Sequence, residues 1–200
     1  MATLGYKYAS PQRFANFLLP LIGWKVESYL PDVRQCVLIV APHTSNWDLP
    51  IGLVCAHALG LFERWQVAYM AKHTLFRGPL GLFMSLTGGI PINRTAAHSV
   101  VDQMADAFRT HDRLMLAITP EGTRKRTGYW KSGFYYIAMK TGAPIVPAFL
   151  DYGRRVGGLG SPLMPSGDID ADLALLRQFF SKITAKFPHQ VGEVQFKPQT

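Results

Sequence analysis

Short apolar runs alternate along the chain with longer segments in which apolar residues recur every three or four positions. The short runs predict strands and the longer segments predict helices, because the two structures place side chains with different periods. Such alternation is typical of an α/β domain whose sheet lies between helices. The predicted strands are residues 37–41, 67–71, 89–92, 114–118, 145–149 and 191–196. The predicted helices are residues 47–61, 78–86, 96–110, 133–141 and 170–187.

The apolar segment at residues 14–24 contains Asn16 and Pro20, and it covers about half of the roughly 20 residues that a membrane-spanning helix needs. We therefore expect no transmembrane helix, and the segment also lacks the cleavage site of a secretory leader. Residues 1–30 are expected to form a helical segment that packs on the domain's own core or lies in the bilayer surface. The Gly/Pro-rich stretch at residues 153–167 predicts a mobile loop.

Composition adds a strong positive charge to this picture. The 200 residues are enough for one domain, and a hydrophobic share of 48% excludes a disordered chain. Lys and Arg outnumber Asp and Glu by 21 to 13, so the surface will attract nucleic acid, anionic lipid or an acidic carrier. Cys36 and Cys55 lie in apolar sequence and are expected to stay reduced, as at the cytosolic face of a membrane.

Polar residues follow the predicted strand at residues 37–41, and helical spacing begins after Asp48. Ligand sites in α/β sheets gather where a strand ends and turns into a helix. An imidazole can accept a proton from a hydroxyl near neutral pH, and a carboxylate on its other nitrogen fixes the tautomer. His43 and Asp48 are therefore a candidate general-base pair. The alternative reading has Asn46 or Asp48 as a helix cap beside an ordinary loop histidine, and this motif taken alone favours that alternative.

A burst of charge follows the predicted strand at residues 114–118. Gly122 permits close approach of the backbone to a ligand, and Arg124 offers the forked donor geometry that suits phosphate. The run of three cations at residues 124–126 is also typical of a solvated basic loop. A third polar position, Arg94, follows the short predicted strand at residues 89–92 and alone would indicate a surface residue.

In this order and at these separations, the segments resemble the sequence blocks of the lysophospholipid (glycerolipid) acyltransferase family, which includes bacterial lysophosphatidic acid acyltransferases. The four blocks are residues 43–48, 89–94, 121–124 and 143–147. Four blocks in the correct order are much harder to obtain by chance than one, so the resemblance favours an enzyme over a non-enzymatic basic module. It implies a single α/β domain over residues 1–200, with a central mixed, mostly parallel sheet flanked by helices.

The resemblance also implies roles for individual residues. His43 would be the general base and Asp48 its orienting partner, while Arg94 and Arg124 would hold the acceptor's phosphate or other acidic headgroup. The residues implied in substrate binding are Lys72, Arg94, Glu121, Gly122, Thr123, Arg124 and Lys131. No metal or other cofactor is expected, since the chemistry requires none and no Cys/His spacing has the form of a zinc site.

The implied reaction transfers a fatty acyl group from acyl-CoA or acyl carrier protein to the hydroxyl of a lysolipid, such as 1-acyl-sn-glycerol-3-phosphate or a related acidic lysolipid. The expected setting is an anionic membrane surface, peripheral or monotopic on the cytoplasmic side, with no specific nucleic acid. One alternative is a serine hydrolase of lipid esters using Ser45, although the chain lacks a Gly-x-Ser-x-Gly elbow. The other is a basic nucleic-acid-binding module, although no zinc finger or RNP block is present.

Overall fold

A sheet of seven strands forms the centre of the computed structural model, which describes residues 11–27, 30–86, 88–92 and 100–198. The strands are β1 (Lys25–Val26), β2 (Gln35–Val40), β3 (Gln66–Lys72), β4 (Gly89–Ile92), β5 (Leu114–Ile118), β6 (Ile145–Asp151) and β7 (Val156–Leu159). The α-helices are α1 (Pro11–Leu21), α2 (Asp48–Ala58), α3 (Leu61–Arg64), α4 (Gly78–Leu86), α5 (Val100–Thr110), α6 (Gly133–Thr141) and α7 (Ile169–Phe180). Short 3-10 helices cover His73–Phe76 and Pro188–Gln190.

The strands lie in the order β1-β7-β6-β2-β5-β3-β4, and all neighbours are parallel except the antiparallel pair β6 and β7. The mixed, mostly parallel α/β sheet predicted from the sequence is therefore confirmed. Because β2 to β6 run in one direction, their carboxyl ends meet at the same edge of the sheet, here called the carboxyl edge. Ligand sites of such sheets are found at this edge.

The core has two faces because the central strand β2 is buried on both sides. Val37 and Ile39 point to one face, where they pack against α5, α6 and α7. Cys36 and Leu38 point to the other face, which Leu61 of α3 helps to cover. A continuous apolar run such as this one is the pattern of a parallel strand covered by helices on both faces.

Helix α1 packs on α2 and also carries a row of exposed apolar side chains. Ala15 and Leu19 are buried together with Cys55 and Ala58 of α2. The opposite side of α1 exposes Phe14, Phe17 and Leu21. Packing on the domain and an exposed apolar row thus occur in the same helix. Among the described helices, none combines the length and apolar character needed to cross a bilayer.

Several helix boundaries differ from the sequence prediction. The helix predicted for residues 47–61 is two helices, because the chain turns at Gly60, whose φ of 70° is left-handed. The helix predicted for residues 170–187 ends at Phe180, although Ile183 still packs against the core. In the helix predicted for residues 96–110, the described part begins at Val100, and residues 96–99 lie outside the described residues.

Two predictions for the C-terminal part of the chain were wrong. Residues 153–167 were expected to be a loop, but they contain the fully buried strand β7, whose Gly157 and Gly158 lie too close to neighbouring atoms for larger side chains. The stretch at residues 191–196 is not a strand. It forms only a bridge between Trp130 and Phe196, and the Phe196 ring packs on Phe134.

Candidate active site

The His43 imidazole and the Asp48 carboxylate form a direct pair at the carboxyl edge, beyond the end of β2. His43 Nδ1 lies 3.0 Å from Asp48 Oδ2. Asp48 is 6% exposed, whereas 18% of the His43 side chain reaches solvent. With Nδ1 donating to the carboxylate, the other ring nitrogen, Nε2, carries the free lone pair. The pair therefore has the arrangement of a general base and its orienting partner.

The short segment at residues 43–48, here called the His/Asp loop, is folded around the Asp48 carboxylate. Oδ2 accepts the backbone N–H groups of Thr44 at 2.9 Å and Ser45 at 2.8 Å, in addition to His43. Oδ1 accepts the Tyr152 hydroxyl at 2.7 Å. Burial alone would raise the pKa of Asp48, but the hydrogen bonds from His43, Tyr152 and Ser45 outweigh it and hold the pKa below its ordinary value.

Glu121 joins the His/Asp loop to the loop that follows β5. Its Oε1 accepts the backbone N–H of His43 at 3.1 Å. Its Oε2 is buried and has no hydrogen-bond partner within the described part of the chain. Burial raises the pKa of Glu121 above its ordinary value, although the His43 N–H opposes that shift. Glu121 therefore connects two loops that start from neighbouring parallel strands.

The segment at residues 122–126, here called the basic loop, is exposed throughout and borders a cleft of about 380 Å³. The cleft, here called the basic cleft, is lined by His43, Thr119, Gly122, Thr123, Arg124 and Lys125. Gly122 has a left-handed φ of 64°, and a Cβ there would lie 2.5 Å from Lys131 Nζ. Lys131 thus places its ammonium group beside Gly122. Because Arg124 and Lys125 line the cleft together with His43, the imidazole and these cations border the same space.

The C-terminal part of the chain holds these loops from outside. The Phe187 backbone N–H donates to Thr44 Oγ1 at 3.2 Å. The Gln190 side-chain amide lies against two backbone carbonyls, Thr44 O at 3.1 Å and Arg124 O at 2.6 Å, and donates to both when its nitrogen faces them. A single glutamine side chain therefore spans the His/Asp loop and the basic loop.

Ser45 is buried within the turn. Its Oγ accepts the Trp47 backbone N–H at 3.1 Å, so the hydroxyl helps to shape the start of α2. The Ser45 backbone N–H in turn donates to Asp48. These contacts give the residue a structural role in the His/Asp loop, which weakens the hydrolase alternative.

The structure brings together most of the residues singled out from the sequence. His43, Asp48, Glu121, Gly122, Thr123 and Arg124 surround one region, with Lys131 beside Gly122. Lys72 ends β3 at the same carboxyl edge, in register with Ile92 of β4. Arg94 lies outside the described residues, two positions after Ile92. The sequence analysis missed Tyr152 because it lies after the last sequence block. The one signal available was its position directly after a strand, which required knowing that β6 extends to Asp151.

Comparisons with known proteins find related sequences. A family model described as Acyltransferase matches residues 25–151. The 1-acyl-sn-glycerol-3-phosphate acyltransferase beta of Homo sapiens is 34% identical over 152 residues, which cover 64% of this chain and 51% of the human protein. The 1-acyl-sn-glycerol-3-phosphate acyltransferase of Escherichia coli is 29% identical over 153 residues, which cover 69% of this chain and 60% of that protein. The chain thus spans between half and two thirds of the length of these relatives.

A solved structure has a similar fold. The crystal structure of the 1-acyl-sn-glycerophosphate acyltransferase from Thermotoga maritima matches with a TM-score of 0.52. It covers 86% of this chain and 74% of that chain, at 18% sequence identity. At this identity the likeness supports the fold, and the family model over residues 25–151 carries the family assignment.

Proposed function

Because this chain belongs to the acyltransferase family, we propose that it transfers a fatty acyl group from a thioester carrier to the free hydroxyl of 1-acyl-sn-glycerol-3-phosphate or a related acidic lysolipid. The observation that carries the proposal is the His43–Asp48 pair, 3.0 Å apart, at the wall of a cleft that also holds Arg124. The names of the relatives support lysophosphatidate as the acceptor. Family membership favours acyl transfer over the hydrolase and the nucleic-acid-binding alternatives.

In the proposed mechanism, His43 Nε2 removes the proton of the acceptor hydroxyl while the hydroxyl oxygen attacks the thioester carbonyl carbon. Asp48 stabilises the imidazolium that results. The tetrahedral intermediate then collapses, the carbon–sulfur bond breaks, and the leaving thiolate takes the proton from the imidazolium. An ester and a free thiol are the products, so no acyl-enzyme intermediate is required.

The acceptor's phosphate is proposed to bind in the basic cleft. Arg124 and Lys125 line the cleft, and Lys131 lies beside Gly122 at its wall. An arginine binds phosphate through paired donors, whereas a lysine acts as a point charge. Held there, the phosphate would bring the glycerol hydroxyl toward Nε2. The donor is proposed to be acyl-CoA or acyl carrier protein, both anionic partners for a chain of net charge +8.

The experiment that tests the proposal measures transfer of a labelled acyl group from acyl-CoA and from acyl carrier protein to a panel of lysolipids. Release of free fatty acid is measured in the same reactions. We expect a labelled diacyl product with lysophosphatidate and little free fatty acid. Free fatty acid formed at the same rate without any acceptor would indicate a hydrolase and would contradict the proposal.

We also propose that the reaction takes place at a membrane surface, on the cytosolic face. Helices α1 and α2 pack against each other, and the apolar side chains that α1 and the start of α2 expose are here called the apolar ridge. The apolar ridge consists of Phe14, Phe17, Leu21, Trp47, Leu49 and Leu53. An apolar ridge beside cations is the composition of a surface that inserts shallowly into an anionic bilayer. Lys186 Nζ, 5.3 Å above the Trp47 ring, supplies one such cation.

Tryptophan fluorescence offers a direct test of the membrane contact. Trp47 is 59% exposed, while Trp24, Trp65 and Trp130 are 7%, 4% and 3% exposed, so a blue shift on vesicle binding would report Trp47. We expect the shift with phosphatidylglycerol vesicles, and we expect it to weaken as salt rises. Leu49→Asp should weaken binding, whereas Leu175→Asp, at an exposed position of α7 on the other side of the sheet, should not. Binding that ignores both salt and Leu49 would contradict the proposal.

A further inference from the structure

Tyr152 lies one residue beyond the segment that the family model matches, yet it contacts the centre of the site. It follows β6, which is parallel to β2 and lies next to it. The ends of these two strands therefore bring Tyr152 to the same edge as Asp48. The Tyr152 hydroxyl donates to Asp48 Oδ1 at 2.7 Å.

The hydroxyl completes the set of donors around the Asp48 carboxylate. Oδ2 already accepts three N–H groups, from His43, Thr44 and Ser45. Oδ1 takes the Tyr152 hydroxyl, and the carboxylate is buried. A carboxylate with a donor on each oxygen is fixed against rotation about its Cβ–Cγ bond. Without the hydroxyl, a buried anionic oxygen would lose its partner, and an unpaired buried charge is unfavourable.

Tyr152 is itself held on several sides. Its backbone N–H donates to Thr184 O at 2.8 Å. Its ring packs edge-on against the buried Trp24, with centroids 5.0 Å apart. Lys186 Nζ lies 5.7 Å from the ring centroid on another side. The preceding Asp151 accepts the backbone N–H groups of Gly153 and Arg154, which fixes the turn after β6. The hydroxyl is therefore presented from a rigid position.

We propose that Tyr152 is a positioning residue that fixes the Asp48 carboxylate and, through it, the His43 imidazole. The proposal rests on the proposed general-base role of His43 but names a residue that the sequence blocks do not include. Burial and the Asp48 hydrogen bond also raise the pKa of Tyr152, so the hydroxyl keeps its proton and remains a donor. A residue acting in this way changes the turnover step rather than the binding of the acceptor.

The test compares Tyr152→Phe with Tyr136→Phe, which removes the same atom at an exposed position of α6. We expect Tyr152→Phe to lower kcat about 10- to 100-fold, from the lost hydrogen bond to a charged group, with the KM for lysophosphatidate changed less than about twofold. In an Asp48→Asn background the same substitution should change kcat much less, because the carboxylate through which Tyr152 acts is already absent. An unchanged kcat, or an equal loss in both backgrounds, would overturn the proposal.

A spectroscopic measurement tests the proposal independently of turnover. The proton on His43 Nδ1, bonded to Asp48, is expected to give a low-field NMR resonance that disappears in His43→Ala. Tyr152→Phe should shift or broaden this resonance, while Tyr136→Phe should leave it unchanged. If wild type transfers no acyl group, the proposed function fails, but the resonance still decides the role of Tyr152. A resonance identical in wild type and Tyr152→Phe would contradict that role.

Discussion

The His/Asp loop and the basic loop start from neighbouring parallel strands, yet they are built in opposite ways. In the His/Asp loop, Thr44, Ser45 and Asp48 are buried, and Asp48 accepts four hydrogen bonds. In the basic loop, every residue from Gly122 to Arg126 is exposed. One loop has a fixed geometry and the other presents charge to solvent.

This difference matches two separate tasks. Proton transfer depends on a reacting atom held within a fraction of an ångström, so a general base needs a preorganised partner. Capture of an anionic headgroup depends on accessible charge, and long flexible cations suit a ligand that arrives from a membrane surface. Substitutions in the first loop should therefore act on kcat, and substitutions in the second loop should act on KM.

Among the substitutions that test this difference between the two loops, Asp48→Asn is expected to have the largest effect. The amide can still accept the Thr44 and Ser45 N–H groups, but it cannot stabilise an imidazolium as an anion does. We expect kcat to fall roughly 10²- to 10⁴-fold, with KM nearly unchanged. Steady-state kinetics with lysophosphatidate checks this, with thermal unfolding as the control for folding. A variant with near wild-type kcat would remove the functional distinction between the loops.

A smaller effect, of the opposite kind, is expected from Arg124→Ala. Loss of a charged donor to phosphate should raise KM about 10- to 100-fold and change kcat less. Arg126→Ala is the matched control, because it removes the same charge from the same exposed loop but does not line the basic cleft. Equal effects of the two substitutions would show that the basic loop acts only through its overall charge.

Gly122→Ala should cost stability at the junction of the two loops. The backbone there has a φ of 64°, which an L side chain adopts at a cost of about 1–2 kcal/mol. A new methyl group would also displace the flexible end of Lys131. We expect a drop of about 1–2 kcal/mol in the free energy of unfolding, measured with urea. Gly128→Ala is the control, because it lies nearby with open space around it.

The smallest effect concerns Glu121 and pH. Its raised pKa means that the folded protein binds this proton more tightly than the unfolded chain does, so ionisation of Glu121 opposes folding. Wild type should therefore lose stability relative to Glu121→Gln as pH rises from the ordinary value of 4.5 through the folded pKa. Urea unfolding of both proteins over this range checks the sign. If wild type instead gained stability relative to Glu121→Gln as pH rises over this range, Glu121 would be stabilised as an anion.

The sequence was most informative where the pattern of side chains reflects burial. The strands β4 and β5 and the helices α4 and α6 lie where they were predicted. In β5 and α6 the apolar residues face the core. His43 and Asp48 could be paired because they follow a predicted strand across one turn, and the order of four sequence blocks favoured an enzyme. The structure shows the predicted contact, with 3.0 Å between His43 Nδ1 and Asp48 Oδ2.

The rest depended on contacts between distant parts of the chain. Strand β7 was missed because its glycines look like a loop, whereas close packing of Gly157 on Cys55 is what requires them. Tyr152 and Gln190 belong to no motif. The partner of Tyr152 is Asp48, 104 residues away in the sequence. The partners of Gln190 lie in the His/Asp loop and the basic loop, more than 60 residues away. No local pattern reports such contacts, because they arise only when the sheet brings the strand ends together.

The central claim is that His43, oriented by Asp48, activates the acceptor hydroxyl. The most direct measurement is transfer of a labelled acyl group to lysophosphatidate by wild type and by a folded His43→Ala variant under identical conditions. We predict that wild type forms the diacyl product and that the variant loses about 10²- to 10⁴-fold or more of that rate while still binding the acceptor. A His43→Ala variant that transfers acyl groups at the wild-type rate would contradict the claim.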